Sequence, residues 1–303
     1  MTPFGLDAFR LCVWLVLLAV IFVPLERCCA RHSQKVLRKG FLTDLGYYFI
    51  NSLLPKMLLI LPLSMIAQGL HYFVPSGFYS WVTDMPLGLR FAAAIVVGEF
   101  GAYWGHRWSH EIPVLWRFHA IHHSAEEMDW LVNTRAHPLD MVFTRLCGFV
   151  PIYVLGLAQP MGNTVDVAPM LYALVGTVWS FFIHANVRWR LGWLEWLIST
   201  PGFHHWHHTK DGSEYVNKSY AAIFPWVDRL FGTFYLPEKQ WPTKYGIDAP
   251  TARSLAGQLL QPFDYRKKPP VTLDEPTFLT RTQGLASGSD VVVAGVAQQA
   301  QRI

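Results

Sequence analysis

Long apolar stretches set the frame of this chain. Residues 11–25 carry no charge, and counted from Gly5 the stretch reaches about twenty residues, the length that spans a bilayer core. A cleaved signal peptide would also begin there. However, Asp7 and a single Arg10 precede the stretch, the basic residues follow it, and no small-x-small cleavage site lies ahead of Glu26. These flanks favour a retained helix. Residues 45–71 hold one charge, Lys56, and are interrupted by Pro55 and Pro62, which predicts a kinked span or a re-entrant pair of half-helices. Residues 85–105 are apolar apart from Arg90 and Glu99. Residues 141–183 carry only Arg145 and Asp166, too long a run for one crossing, and the polar stretch 159–164 divides it into a hairpin. The pattern predicts an all-α integral membrane protein with about four to five transmembrane helices.

Loop charges orient the set. Residues 26–40 include Arg27, Arg31, Lys35, Arg38 and Lys39, whereas residues 72–86 and the turn near Gly162 contain no Lys or Arg. By the positive-inside rule the first loop is cytoplasmic and the other two lie outside. Alternation then puts the ends of the third, fourth and fifth spans, with the histidines attached to them, on the cytoplasmic face. Trp189, Trp193 and Trp196, with Arg188 and Arg190, read as a helix lying in the membrane interface. Residues 220–235 are aromatic and compact, and from about residue 269 the composition drifts to a loose polar tail.

Composition agrees with a membrane protein: 52% of the 303 residues are hydrophobic and 15% charged, too few charges to cover a soluble chain of this length. A formal charge of +4 says little about partners, and because the basic residues follow the membrane boundary there is no support for nucleic-acid binding. Cys12, Cys28, Cys29 and Cys147 form neither a disulfide framework nor a zinc ligand set.

The histidines change the picture. Eleven of thirteen fall between His106 and His208. His106 and His110 form H-x-x-x-H on the continuation of the third span. His119, His122 and His123 form H-x-x-H-H, a spacing repeated by His204, His207 and His208, and helical periodicity places each set on one face. His137 and His184 stand alone; His32 and His71 read as ordinary surface or core residues. Neutral imidazole binds Fe, Zn, Cu and Ni, and eight or nine such nitrogens are too many for one ion and suit two. A metalloprotease needs H-E-x-x-H, and Arg107 occupies the glutamate position. A membrane metal transporter would string histidines along a crossing path, whereas these cluster on one side.

The motifs around these histidines resemble those of the fatty acid hydroxylase/sterol desaturase superfamily, the membrane-bound histidine-box di-iron oxygenases. Tyr103-Trp104-Gly105-His106-Arg107-Trp108-Ser109-His110 is similar to the first box, and Trp116-Arg117-Phe118-His119-Ala120-Ile121-His122-His123-Ser124 to the second. Arg135-Ala136-His137-Pro138-Leu139-Asp140, His184-Ala185-Asn186, Pro201 to His208, and Val227-Asp228-Arg229-Leu230-Phe231-Gly232-Thr233 resemble further elements of the family. The resemblance covers residues 98–242, leaving 1–97 as N-terminal transmembrane helices and 243–303 as a C-terminal extension.

The resemblance implies a cytosol-facing centre of two iron ions, O2 as co-substrate, and a lipid or sterol substrate entering from the bilayer. Carried over by position, it assigns His106, His110, His119, His122, His123, His184, His204, His207 and His208 as metal ligands. It leaves His137 as a ligand or an outer support, and omits His205, where relatives often carry Arg. Asp140, Asn186 and Glu99 are candidates to support the ligands from behind. Hydroxylation is the preferred outcome, with desaturation at the same site as the alternative. No G-x-G-x-x-G loop, iron–sulfur cysteine pattern or haem segment occurs, so a separate reductase, ferredoxin or cytochrome is expected, or by analogy a reduced pterin. A bacterial inner membrane is favoured over the endoplasmic reticulum, since no ER-retention signal is seen. Val227 in place of the usual Trp, and Ser219 in place of an Asn, depart from the family pattern.

Overall fold

The computed structural model describes residues 2–158, 167–212, 215 and 217–265. The loose tail expected after residue 269, and the polar turn at 159–164, lie outside them. Ten α-helices are described: α1 Pro3–Cys28, α2 Phe41–Phe73, α3 Ser76–Thr83, α4 Leu87–Glu111, α5 Pro113–His119, α6 Pro138–Val154, α7 Val167–His184, α8 Pro201–His207, α9 Pro225–Leu230 and α10 Leu255–Leu260. The described residues contain no β-strand beyond two isolated bridges.

Four of these helices, α1, α2, α4 and α7, are long and apolar enough to cross a membrane. This is the architecture of a multi-pass membrane protein. α6 is 17 residues long, about 26 Å at 1.5 Å per residue, at the lower end of the length that spans a hydrocarbon core, and it packs along α4, returning the chain so that α4 and α7 can both end at the histidines. α2 runs unbroken through Pro55 and Pro62, so the single-span reading holds and the re-entrant pair does not. Side chains such as Val16, Val20, Ile21, Ile60 and Leu61 are exposed, as expected of faces turned to lipid.

The helices meet through small residues and aromatic clusters. α4 packs along α6, and a Cβ placed on Gly101 would run into the Cys147 carbonyl; only glycine lets the two backbones approach this closely. Phe22 of α1, Trp130 and Phe181 of α7 form one aromatic cluster. Gly40, just before α2, has φ of +84° and sits against the Arg135 guanidinium. Both the left-handed backbone and the contact require glycine.

Two local expectations change. Trp193 and Trp196 lie on a short 3₁₀ turn, Gly192–Trp196, rather than an α-helix, because Gly192 takes a left-handed φ of 59°. The three tryptophans are nonetheless exposed, as an interfacial position requires. Arg38, counted among the loop charges, is in fact buried: its guanidinium meets Asp129 (2.6 and 2.7 Å) and Asp44 (2.7 Å).

Candidate metal centre

Nine histidines converge where α4, α5, α7 and α8 come together, and they sort into two groups. His106, His110, His119, His123 and His207 form one; His122, His184, His204 and His208 form the other. Within each group one nitrogen per residue lies within 4.8 Å of all the others. These are the nine residues that the resemblance assigned as ligands. His106 is half-buried and the rest are buried. The groups adjoin: the rings of His123 and His208 stack at 4.4 Å.

The two H-x-x-H-H motifs do not each serve one group, and their members do not all share a face. In each, the i and i+4 histidines enter one group and the i+3 histidine enters the other. α5 ends at His119, and a 3₁₀ turn, His122–Ser124, carries the rest of that motif. The same split occurs on the continuous helix α8, capped by His208, because at 3.6 residues per turn positions i and i+4 lie about 40° apart around the axis whereas i+3 lies about 100° from i+4.

Ring tautomers follow from the partners. His106 Nδ1 lies 2.7 Å from the Tyr220 carbonyl, His122 Nδ1 2.9 Å from that of Arg135, His184 Nδ1 2.7 Å from that of Ser180, and His207 Nδ1 2.8 Å from that of Lys218. A carbonyl only accepts, so each of these nitrogens donates and each Nε2 is left with a lone pair. The lone pairs face one another. Nε2 of His184 is 3.2 Å from that of His122 and 3.0 Å from that of His204, which is 3.1 Å from Nε2 of His208. His122 and His184 cannot share a proton through these atoms, and two bare lone pairs at such a distance repel. A cation between them removes the conflict. Metal–imidazole bonds of about 2.1 Å give nitrogen separations of about 3.0 Å at right angles and about 3.4 Å in a tetrahedron. The donor set therefore fits a metal ion in each group. His207 Nε2 is buried without a partner, aimed into the five-membered group.

Burial, followed by the neighbouring imidazoles, holds His123, His204 and His208 far below the ordinary histidine range, and His122 and His207 likewise. Neutral rings are what a metal requires.

The remaining sequence candidates fall in different places. Asp140 accepts from His119 Nδ1 (2.9 Å) and from the Ser109 hydroxyl (3.3 Å), and so orients a ring of the five-histidine group. His137 belongs to neither group. Its Nδ1 accepts the Leu139 N–H (3.2 Å) as the N-cap of α6, and its Nε2 donates to the Leu259 carbonyl (3.1 Å). Both nitrogens are thus spent on positioning the helix that carries Asp140, and a histidine preceding a proline at the first helical position is the sequence signal for this.

Asn186 touches no ligand ring. It accepts from the Arg31 and His32 N–H groups and donates to the His32 carbonyl, tying the basic loop to the segment after His184. Glu99, buried in α4, hydrogen-bonds no histidine among the described residues; it accepts the N–H groups of Ile223 (2.8 Å) and Phe224 (3.1 Å). It thereby anchors the loop whose Tyr220 carbonyl holds His106. Asp228 completes that anchorage, accepting from the N–H groups of Tyr220 and Ala221 and from the Thr233 hydroxyl. Ser219 has φ of 59°, a backbone that asparagine tolerates best after glycine. This explains why an Asn would suit the position. Val227 is fully buried against Tyr103 and Tyr220. His205 faces away from both groups, bonded to the Tyr245 hydroxyl (2.9 Å) and the Ala185 carbonyl (3.1 Å).

Residues 91–233 match the fatty acid hydroxylase family. This segment belongs to that family. The fatty acid hydroxylase segment thus contains all nine clustered histidines, and the resemblance read from the boxes is borne out. The chain is 34% identical over 200 residues to the ornithine lipid hydroxylase OlsE of Rhizobium tropici, covering 65% of this chain and 57% of that protein. It is 29% identical over 155 residues to human alkylglycerol monooxygenase, covering 50% of this chain and 32% of the relative. It is 30% identical over 159 residues to the Delta(7)-sterol 5(6)-desaturase erg3C of Aspergillus fumigatus, covering 46% of each. The chain therefore spans little more than half the length of the first of these and less than half of the other two. No solved structure matches it.

Proposed function

We propose that this protein is a membrane-bound, O2-dependent di-iron oxidoreductase that hydroxylates a C–H bond of a lipid. The observation that carries the reading is the pair of adjoining all-histidine groups at the ends of apolar helices, with nitrogen lone pairs directed at one another. The named relatives are an ornithine lipid hydroxylase, an alkylglycerol monooxygenase and a sterol desaturase, which supports a lipid substrate and O2 chemistry. Two iron ions held by the nine histidines would supply the O2 activation needed to attack an unactivated C–H bond.

The chain's own residues do the rest. The carbonyls of Tyr220, Arg135, Ser180 and Lys218 fix four rings so that Nε2 points inward, and Asp140 fixes a fifth. Trp116 packs on His110 and His123, and Tyr220 on His106, His110 and His207. These aromatics exclude water from one flank. Desaturation at the same site remains the alternative outcome, since one site can serve both and substrate placement decides. The basic 26–40 loop supports a cytoplasmic face for the site and docking there of a separate one-electron donor. A bacterial inner membrane is the membrane this reading favours, in keeping with the bacterial hydroxylase among the relatives.

Iron stoichiometry tests the metal half of the proposal. Protein purified from iron-replete cells should carry about two iron ions per chain, and His204→Ala and His110→Ala should each lose one of them first. Zinc as the only bound metal, or one ion per chain in every variant, would contradict it.

A further inference from the structure

A second site lies beside α1, at the boundary between its apolar length and the basic loop. A groove of about 520 Å³ opens between α1, the start of α2 and residues 30–36. Its inner wall is apolar: Leu15, Ala19 and Val23 of α1, with Phe41 of α2. Its charged lining is Glu26, Arg27 and Lys35, together with Asp129, both of whose carboxylate oxygens are already held by Arg38. From Leu15 to Arg27 the helix rises about 18 Å, close to the ~15 Å hydrocarbon depth of one leaflet. The groove therefore has the length and the polarity of a single lipid molecule, chain inward and headgroup at the helix end.

The charged groups at the mouth are incompletely used. Glu26 Oε1 accepts the N–H groups of Trp130 (2.7 Å) and Asn186 (2.9 Å), and its Oε2 takes no hydrogen bond among the described residues. Arg27 donates only to the Gln34 carbonyl (3.1 Å), and neither Arg27 nor Lys35 meets a carboxylate among the described residues. One free carboxylate oxygen and two cations without acid partners thus face a common space with an apolar floor. An anionic headgroup alone would satisfy the cations and meet Glu26 unfavourably. A headgroup with a primary ammonium and an acidic group satisfies all three.

From this charge complementarity we infer that the groove is a binding site for a zwitterionic amino lipid, its ammonium donating to Glu26 and its acidic group held by Arg27 and Lys35. The inference stands apart from the proposed reaction, because the groove binds without O2, metal or reductant. The groove's lining also includes Trp130 and Asn186, on the segments that lead into Arg135 and out of His184, so an occupant would rest against the backbone that carries the four-histidine group.

Lipid exchange into nanodiscs of phosphatidylcholine, doped with phosphatidylethanolamine or phosphatidylglycerol, tests it, with retained lipid counted by native mass spectrometry of the full chain. Phosphatidylethanolamine should be retained about five- to tenfold over phosphatidylcholine, whose quaternary nitrogen has no N–H to donate, and over phosphatidylglycerol, which has no ammonium. Glu26→Gln keeps an oxygen for Trp130 and Asn186 and should abolish the preference for phosphatidylethanolamine. Lys35→Gln, an exposed change that leaves the fold intact, should weaken retention of both phosphatidylethanolamine and phosphatidylglycerol. Equal retention of phosphatidylglycerol and phosphatidylethanolamine, or a preference that survives Glu26→Gln in folded protein, would overturn the proposal. So would the absence of any enrichment. None of these results bears on the reaction itself, which is read separately by iron content and product.

Discussion

Replacing Asp44 by asparagine removes the carboxylate that neutralises Arg135. Asp44 is fully buried, and Arg135 donates to it from Nε (2.5 Å) and Nη2 (3.2 Å). Arg38 shares the same carboxylate but keeps Asp129, so the loss falls on Arg135. A buried charge stripped of its partner costs about 3–5 kcal/mol, which for a chain of this size lowers an apparent thermal midpoint by roughly 6 °C or more. The damage should reach the metal centre, because the Arg135 carbonyl holds His122 Nδ1. Tryptophan fluorescence during heating in detergent gives the midpoint, and metal content after dialysis gives the second readout. The double variant Asp44→Asn/Arg135→Gln, which buries no unpaired charge, should recover about half of the loss or more. An Asp44→Asn protein as stable as the wild type, or a double variant no better than the single, would refute this assignment of the cost to an unpaired Arg135.

Further outcomes follow from the same geometry. Asp140→Ala, which strips His119 Nδ1 of its acceptor, should weaken metal binding by about 10- to 100-fold in a chelator competition, with Asp140→Asn milder. Glu99→Gln retains an oxygen for the Ile223 and Phe224 N–H groups and should behave nearly as the wild type. Glu99→Leu leaves both donors buried and unpaired and should cost about 1–3 kcal/mol for each, read as a lower thermal midpoint. Gly101→Ala should destabilise by about 1–3 kcal/mol through the Cys147 backbone, whereas Gly88→Ala, where a Cβ meets nothing within 4 Å, should be silent by the same assay.

How much of this was legible in the sequence depends on the range of each interaction. The spans could be read because a bilayer imposes a local, additive requirement on some twenty consecutive residues. The nine clustered histidines could be read because their spacings follow helix geometry and their motifs match a family. Their division into two groups could not. It depends on which rings of α4, α5, α7 and α8 the packing brings together, and the spacing within one motif does not say which neighbour each ring will meet. The carbonyls of Tyr220, Arg135, Ser180 and Lys218 left no trace, since every residue has one. Arg38 read as a loop charge and Arg135 as part of a motif, and only the packing of α2 against the Trp130–Thr134 turn joins them to Asp44 and Asp129. Glu99 stood out by its depth in an apolar helix, but its partners are two backbone amides 124 and 125 residues away.

The most direct test of the reaction is lipid mass spectrometry on cells grown under 18O2 that express either this protein or its His122→Ala variant, together with a one-electron donor. The wild-type cells should contain a lipid carrying a single 18O atom that is absent from the variant. An unlabelled lipid lighter by two hydrogens would instead identify a desaturase. Identical lipid profiles from iron-loaded, folded wild-type protein and the variant would contradict the oxygenase reading.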